Sequence, residues 1–319
     1  MHAGGILRTA EAGRLAARPE QPDSPANGGD SDGRGVTATI EMRTGNSANY
    51  ALGHSPGEIR RLGIEAAILR PITTRLLQSL GVSPGMRILD VGCGAGDVTL
   101  LAADLVGESG AVVGIDRSET AIAVARARAA TAQNVHFLVT SVDDNLGAAS
   151  FDVVIGRYVL IFQDDVASFI RASARLVKPG GIVAFHEIDD VDDFTALPDV
   201  PLWKQANGWL MGALRSLLPN PDVPGRLVDC FFQAGLSSPA LFCEVPIGDG
   251  ERSPIATWLV ETLRTLLPQI IQRGWASENV VGIDSLEKRL RSATSASRSQ
   301  VAAPRQVCAW VRVPSWYDC

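Results

Sequence analysis

Long apolar runs, paired cysteines and an excess of positive charge are all missing from this 319-residue chain. Asp, Arg, Gly or Pro interrupts every hydrophobic stretch well before the roughly 20 residues needed to cross a bilayer, which excludes an integral membrane protein. The five cysteines, Cys93, Cys230, Cys243, Cys308 and Cys319, show no two-residue spacing, so neither a zinc knuckle nor a redox pair is expected. They read as reduced thiols of a cytoplasmic protein. With 29 basic against 35 acidic side chains, a general nucleic-acid binder is disfavoured, because such a protein wants a basic face.

Aromatic residues are also absent from Met1 to Asn49, whereas all six tryptophans follow residue 200. The first 45 residues mix Gly, Pro, Ala and small polar residues without apolar periodicity, as in Pro22-Asp23-Ser24-Pro25, and are expected to be a disordered extension. Arg8, Arg14 and Arg18 suit a transit peptide, but Glu11 and Glu20 weaken that reading. Met42 stands just ahead of the first patterned residues and is a second candidate start.

From residue 50 the pattern becomes regular. Ser55-Pro56 reads as a helix start, Pro71 as a break that begins a second helix through Leu80. Met86 to Val91 reads as a short buried strand, followed by Gly92-Cys93-Gly94-Ala95-Gly96 and a helix to Val106. Strands at 111–115, 135–139, 151–155 and 182–185 then alternate with helices, one capped by Ser118 and another at 164–176. Continuous apolar strands alternating with helices imply a parallel sheet covered on both faces. Its ligand crevice should lie beyond the carboxyl ends of the strands.

The glycine loop is not the dinucleotide fingerprint, whose third glycine falls where this chain has Asp97. Its glycines allow backbone amides to approach a compact ligand group, and Asp116, ending the second strand, can accept two hydrogen bonds from a ribose diol. Each feature also has a plain structural use: a tight turn for the glycines, a helix cap for Asp116.

Together, Asp90 through Gly96, Asp116, Phe151-Asp152-Val153-Val154 and Leu176-Val177-Lys178-Pro179-Gly180-Gly181 resemble the class I S-adenosylmethionine-dependent methyltransferases over about residues 50–190. The resemblance implies a Rossmann-like α/β fold: a seven-stranded, mostly parallel sheet ending in an antiparallel C-terminal hairpin, with helical lid insertions. It implies S-adenosylmethionine as cofactor, contacted by Asp90, Gly92, Gly94, Gly96, Asp116 and Arg117. Gly156-Arg157-Tyr158 is similar to the family's cofactor-facing fourth motif, which adds Arg157. Many relatives place an Asp after the third strand, where this chain has Ser141, so Ser141, the Val142 backbone or Asp143 are the adenine-side candidates. Tyr50 and Arg61 match an amino-terminal segment that closes over the cofactor in a bacterial subgroup.

The expected boundaries are therefore an extension over 1–45 and a methyltransferase domain over 46–319, with a cofactor core at 80–190. Two segments are left over, about 192–221 and 252–300, rich in Trp, Leu and Met. They suit a lid over an apolar small-molecule substrate, or ordinary core, or a homodimer interface. His186 is the candidate base or hydrogen-bond donor, Glu187 its orienter or a polar anchor, and His54 a second candidate base; neighbours on a strand point opposite ways, so His186 and Glu187 are not expected to bond each other. Asp189-Asp190-Val191-Asp192-Asp193 invites a Mg²⁺ reading, but a solvated loop is the commoner use and no metal is expected. The leading expectation is methyl transfer to an O, N or C atom of a small, largely apolar metabolite. The alternative is a methyltransferase-like protein that binds the cofactor but performs non-methyl chemistry such as cyclisation, or serves as a scaffold.

Overall fold

In the computed structural model the described residues are 56–319, except 143, 145, 147, 148, 190–193, 316, 318 and 319. The expectations for the 1–45 extension, Tyr50, His54, Asp143 and most of the 189–193 cluster fall outside them.

The described residues open with helix α1 (Pro56–Ser79), then β1 (Arg87–Val91), α2 (Asp97–Val106), β2 (Ala111–Asp116), α3 (Glu119–Arg128), β3 (Val135–Val139) and β4 (Phe151–Arg157). After a 3₁₀ turn, Leu160–Phe162, come α4 (Val166–Leu176), β5 (Val177–Asp189), β6 (Thr195–Leu197), α5 (Pro201–Leu217), α6 (Leu227–Gln233), β7 (Ala240–Glu244) and β8 (Ile247–Asp249). The remainder is α7 (Ile255–Gln272), α8 (Glu278–Val281), α9 (Ile283–Ser297), β9 (Gln300–Ala302) and β10 (Arg305–Arg312). Seven strands form one sheet in the order β3-β2-β1-β4-β5-β10-β7. β1 to β5 are mutually parallel, whereas β10 runs antiparallel to both β5 and β7. The strand order reverses between β1 and β4, which places a crevice at their carboxyl ends.

The expected break at Pro71 does not occur: α1 is one helix of 24 residues. An interior proline costs about 3 kcal/mol. Against that, Leu69, Ile72, Leu76 and Leu77 are buried on one stripe of this helix, at roughly 1.5–3 kcal/mol each. Pro71 itself faces solvent. The end of α1 is also tied to the sheet edge, where the Arg75 guanidinium donates to both carboxylate oxygens of Glu244 on β7.

Both left-over segments are helical, as α5 and as α7 to α9. Sequence reading missed a second sheet of three short antiparallel strands, β6-β9-β8. These strands have three residues each, too short to show periodicity. They pin the ends of the two helical segments together. The sixth and seventh strands of the large sheet are therefore joined through the whole α7–α9 insertion and not by a tight turn. No described helix is long and apolar enough to cross a membrane.

α2 packs closely on β2. A Cβ at Gly114 would lie 2.7 Å from both the Phe137 ring and Thr99 Oγ1. Gly114→Ala is expected to destabilise the fold by about 1–3 kcal/mol, seen as a lower urea midpoint with an unchanged slope.

Candidate functional site

Beyond the carboxyl ends of β1, β2 and β4 lies a cavity with two unlike walls. One wall is Asp90, Gly92 to Ala95, Asp97 and Asp116; the other includes Leu210, Leu214, Leu217, Leu218 and Trp258. Val98 of α2, Arg61, Leu62 and Glu65 of α1, Arg157 at the end of β4 and Tyr158, Ile161 and Phe162 after it complete the lining, with Phe194, Ile188 and Thr262.

The loop geometry follows from its glycines. Gly92 has φ 71° and Gly96 φ 85°, the left-handed region that side chains resist. A Cβ on Gly92 would stand 2.8 Å from Val159, and one on Gly96 2.8 Å from Phe137. The amides of Gly92 and Cys93 both donate to the Ile115 carbonyl at 2.9 Å, pinning the loop to the end of β2.

Two carboxylates shape the polar wall. Asp116 Oδ2 accepts from the Gly94 amide at 2.9 Å and Oδ1 from the Ser118 amide at 2.8 Å, so it joins the glycine loop to the start of α3. Each oxygen keeps a lone pair, and the residue still lines the cavity. Asp116 thus meets the start of α3 and also lines the cavity. Ser118 caps α3 through the Ala121 amide at 3.2 Å.

Asp90 is 1% exposed. Its Oδ2 accepts from Thr99 Oγ1 at 2.6 Å, but Oδ1 is buried without a hydrogen-bond partner. Burial, opposed by Thr99 and the nearby Arg157 charge, pushes its pKa up to about 7. A buried acceptor in a cavity wall, beside backbone amides, fits a ligand carrying a cationic donor next to a polar head.

Arg61 and Glu65 form a buried ion pair in the wall, Nη1 to Oε2 at 2.6 Å. Arg157 lines the cavity and donates to Thr73 Oγ1 at 3.3 Å. The remaining expected cofactor contacts are less direct. Gly96 caps α2 behind the loop, while exposed Arg117 and half-buried Ser141 follow the ends of β2 and β3. Val142 is packed in the core, and the Ser141 amide donates to Asp144 Oδ2 at 2.8 Å. None of these four lines the cavity.

His186 and Glu187 are fully buried on β5 and do not line the cavity either. They do not bond each other: the Glu187 carboxylate faces the amides of Val159 and Leu160, and the His186 ring faces Thr73 and Gln306. Sequence reasoning missed Glu65, Tyr158, Phe162, Leu217 and Thr262 as lining residues. Glu65, four residues after Arg61, could have been found from that spacing. Among the tryptophans of the left-over segments, Trp258 reaches the cavity; Trp203 and Trp209 are buried core. Asp189, first of the acidic cluster, is paired with Arg305 Nη2 at 2.8 Å. Among the described residues no group of His, Cys, Asp and Glu side chains is arranged to hold a metal ion.

A family model described as a methyltransferase domain matches residues 82–215. That match covers less than half of the chain. Demethylmenaquinone methyltransferase of Staphylococcus aureus is 34% identical over 136 residues, covering 41% of this chain and 52% of that protein. Ubiquinone biosynthesis O-methyltransferase of Thiobacillus denitrificans is 37% identical over 124 residues, 38% of this chain and 52% of its own length. The chain spans about half the length of the curated relatives it matches. A crystal structure from Bacillus halodurans, of a protein assigned as a methyltransferase, superposes with a TM-score of 0.51 at 16% identity, covering 76% of this chain and 98% of that one. That likeness is one of fold. The matched residues include the glycine-loop wall and α5 as far as Arg215; the whole α7–α9 insertion lies beyond them.

The uncompensated Asp90 carboxyl has a stability consequence. An unfolded Asp titrates near ~3.9, and folded Asp90 at about 7. Between those values the folded state holds a proton the unfolded chain has lost, so stability falls as pH rises through that window. Asp90→Asn, which still accepts from Thr99, is expected to be roughly 1–4 kcal/mol more stable than the parent at pH 8. The difference should shrink steadily as urea unfolding is repeated down to pH 4.

Proposed function

We propose that the protein transfers a methyl group from S-adenosylmethionine to an O, N or C atom of a small, largely apolar acceptor. The observation that carries this reading is the single cavity with unlike walls. A charged, amide-rich wall suits the polar cofactor, and a leucine- and tryptophan-rich wall suits an apolar partner. The two quinone-pathway relatives support an acceptor ring of that kind, although they match only 41% and 38% of this chain.

The cofactor supplies an activated methyl group on a sulfonium. This chain's residues then have to bind, align and keep water away. Asp90 Oδ1 is assigned to the α-ammonium, which would complete its missing hydrogen bond. The amides of the Gly92 to Gly96 loop and Arg61 are assigned to the rest of the amino-acid end. Asp116 is assigned to the ribose hydroxyls, with Arg117, Ser141 and Val142 beside the adenine. Arg157 stands at the junction of the walls. Leu210, Leu214 and Leu217 recur every three or four residues on α5, so they make one stripe along that helix. With Trp258 of α7 this stripe would cover the acceptor and exclude water. Glu65, oriented by Arg61, places a carboxylate in the wall that could take a proton from an acceptor hydroxyl.

The reading is tested by calorimetry with S-adenosylmethionine and by transfer of labelled methyl into a lipid extract. Asp116→Ala should weaken cofactor binding at least about tenfold, the loss of two good hydrogen bonds to a charged acceptor. Trp258→Ala should leave that affinity within about twofold while lowering transfer. Tight binding with no label in any product would remove methyl transfer and leave cofactor binding alone. Because Asp90 must be ionised to hold an ammonium, cofactor affinity should also fall as pH drops below about 7, approaching tenfold per pH unit.

A further inference from the structure

Arg157 at the end of β4 and Tyr158, Ile161 and Phe162 of the turn that follows line the cavity. Tyr158 holds a φ of 55°, a left-handed conformation rare for a bulky residue, so its surroundings must impose it. Its amide donates to the His186 carbonyl at 2.9 Å, and its hydroxyl donates to Gln306 Oε1 at 2.6 Å. The next two amides, of Val159 and Leu160, donate to Glu187 Oε1 at 3.1 and 2.9 Å. The Val159 methyls in turn fill the space left by Gly92 and Gly156, where a Cβ would approach them to 2.8 and 2.6 Å. One turn therefore touches the cofactor loop and walls the acceptor side.

A single carbonyl fixes the protons of the network behind it. Gln306 Nε2 donates to the Pro304 carbonyl at 2.8 Å, so its oxygen faces Tyr158 and His186 Nε2, the latter at 3.1 Å. An amide oxygen only accepts, hence His186 carries its proton on Nε2. In the neutral ring Nδ1 then accepts from the Thr73 hydroxyl at 3.1 Å, whose oxygen accepts from Arg157. Both ring nitrogens are used, and the ring is fully buried. Burial and the Arg157 charge lower its pKa to about 3.

We infer that His186 and Glu187 are positioning residues, which clamp the 157–162 turn from β5 and so set the shape of the cavity where its two walls meet. His186 acts through its carbonyl and through Gln306 on Tyr158, and Glu187 acts through the Val159 and Leu160 amides. Neither exchanges a proton with a substrate. The clamp stands on the hydrogen bonds alone; only its use in catalysis rests on the methyl-transfer reading.

The test uses the full chain and needs no acceptor. Nitrogen-15 spectra should show His186 as the neutral Nε2–H tautomer throughout pH 5 to 8. Hydrogen exchange in peptides covering 157–163 should accelerate at least about tenfold in Glu187→Leu, with peptides of β1 and β2 unchanged. Glu187→Gln, which keeps an oxygen for the two amides, should restore the parent rate within about twofold. A titrating His186, an Nδ1–H tautomer, no change in Glu187→Leu, or acceleration spread equally over the whole sheet would each overturn the inference. Calorimetry with S-adenosylhomocysteine on the same samples separates the two readings: its failure to bind removes the methyl-transfer proposal and leaves the exchange and nitrogen results to decide the clamp.

Discussion

The close approach of backbone to side chain at Gly92, Gly96, Gly114 and Gly156 is the constraint on which the rest of this structure depends. At each position a Cβ would come within 2.9 Å of a neighbour, so the loop after β1, helix α2 and the turn after β4 interlock only because those atoms are absent. Phe137 fills the space against two of these glycines and Val159 against the other two. That interlock brings the ends of β1, β2 and β4 to one place, and the cavity is what remains between them and the helices above.

The same crowding leaves Asp90 half satisfied. A carboxyl with one free oxygen, drawn up to about 7 by burial, is a poor choice for stability alone. On the proposed function it is an acceptor kept ready for a positive ligand group, with folding free energy given up to keep the site preorganised. Asp116 is the opposite case. Its two oxygens are held by the Gly94 and Ser118 amides, so it shapes the loop before any ligand arrives.

The features legible in the sequence were local ones. The strand, glycine loop and helix at 87–106, the cap at Ser118 and the acidic end of β2 are each specified by residues a few positions apart. What could not be read there was pairing across long separations. His186 meets Thr73 and Gln306, 113 and 120 residues away, and these contacts decide that its ring faces inward to the core. Topology placed His186 and Glu187 near the catalytic edge, but topology does not say which way a buried side chain finds its partners. The tryptophans illustrate the same limit. Trp203, Trp209 and Trp258 lie on helices of similar pattern, yet the facing of each helix decides that Trp258 lines the cavity and the others form core. Pro71 failed as a helix breaker because buried leucines and isoleucine on either side outweighed one lost hydrogen bond.

The position of β10 ties the two halves of the molecule together in time as well as in space. Among the described strands it comes last in chain order, yet it lies between β5 and β7, with the whole α7–α9 segment made just before it. A nascent chain that has reached residue 304 still shows the bare edges of β5 and β7, surfaces prone to pair with the wrong partner. The helices that carry the leucine- and tryptophan-rich wall are therefore synthesised before β10 can join the central sheet. A break in translation within that segment yields a protein with an open sheet, not a finished sheet that merely lacks one wall of the cavity.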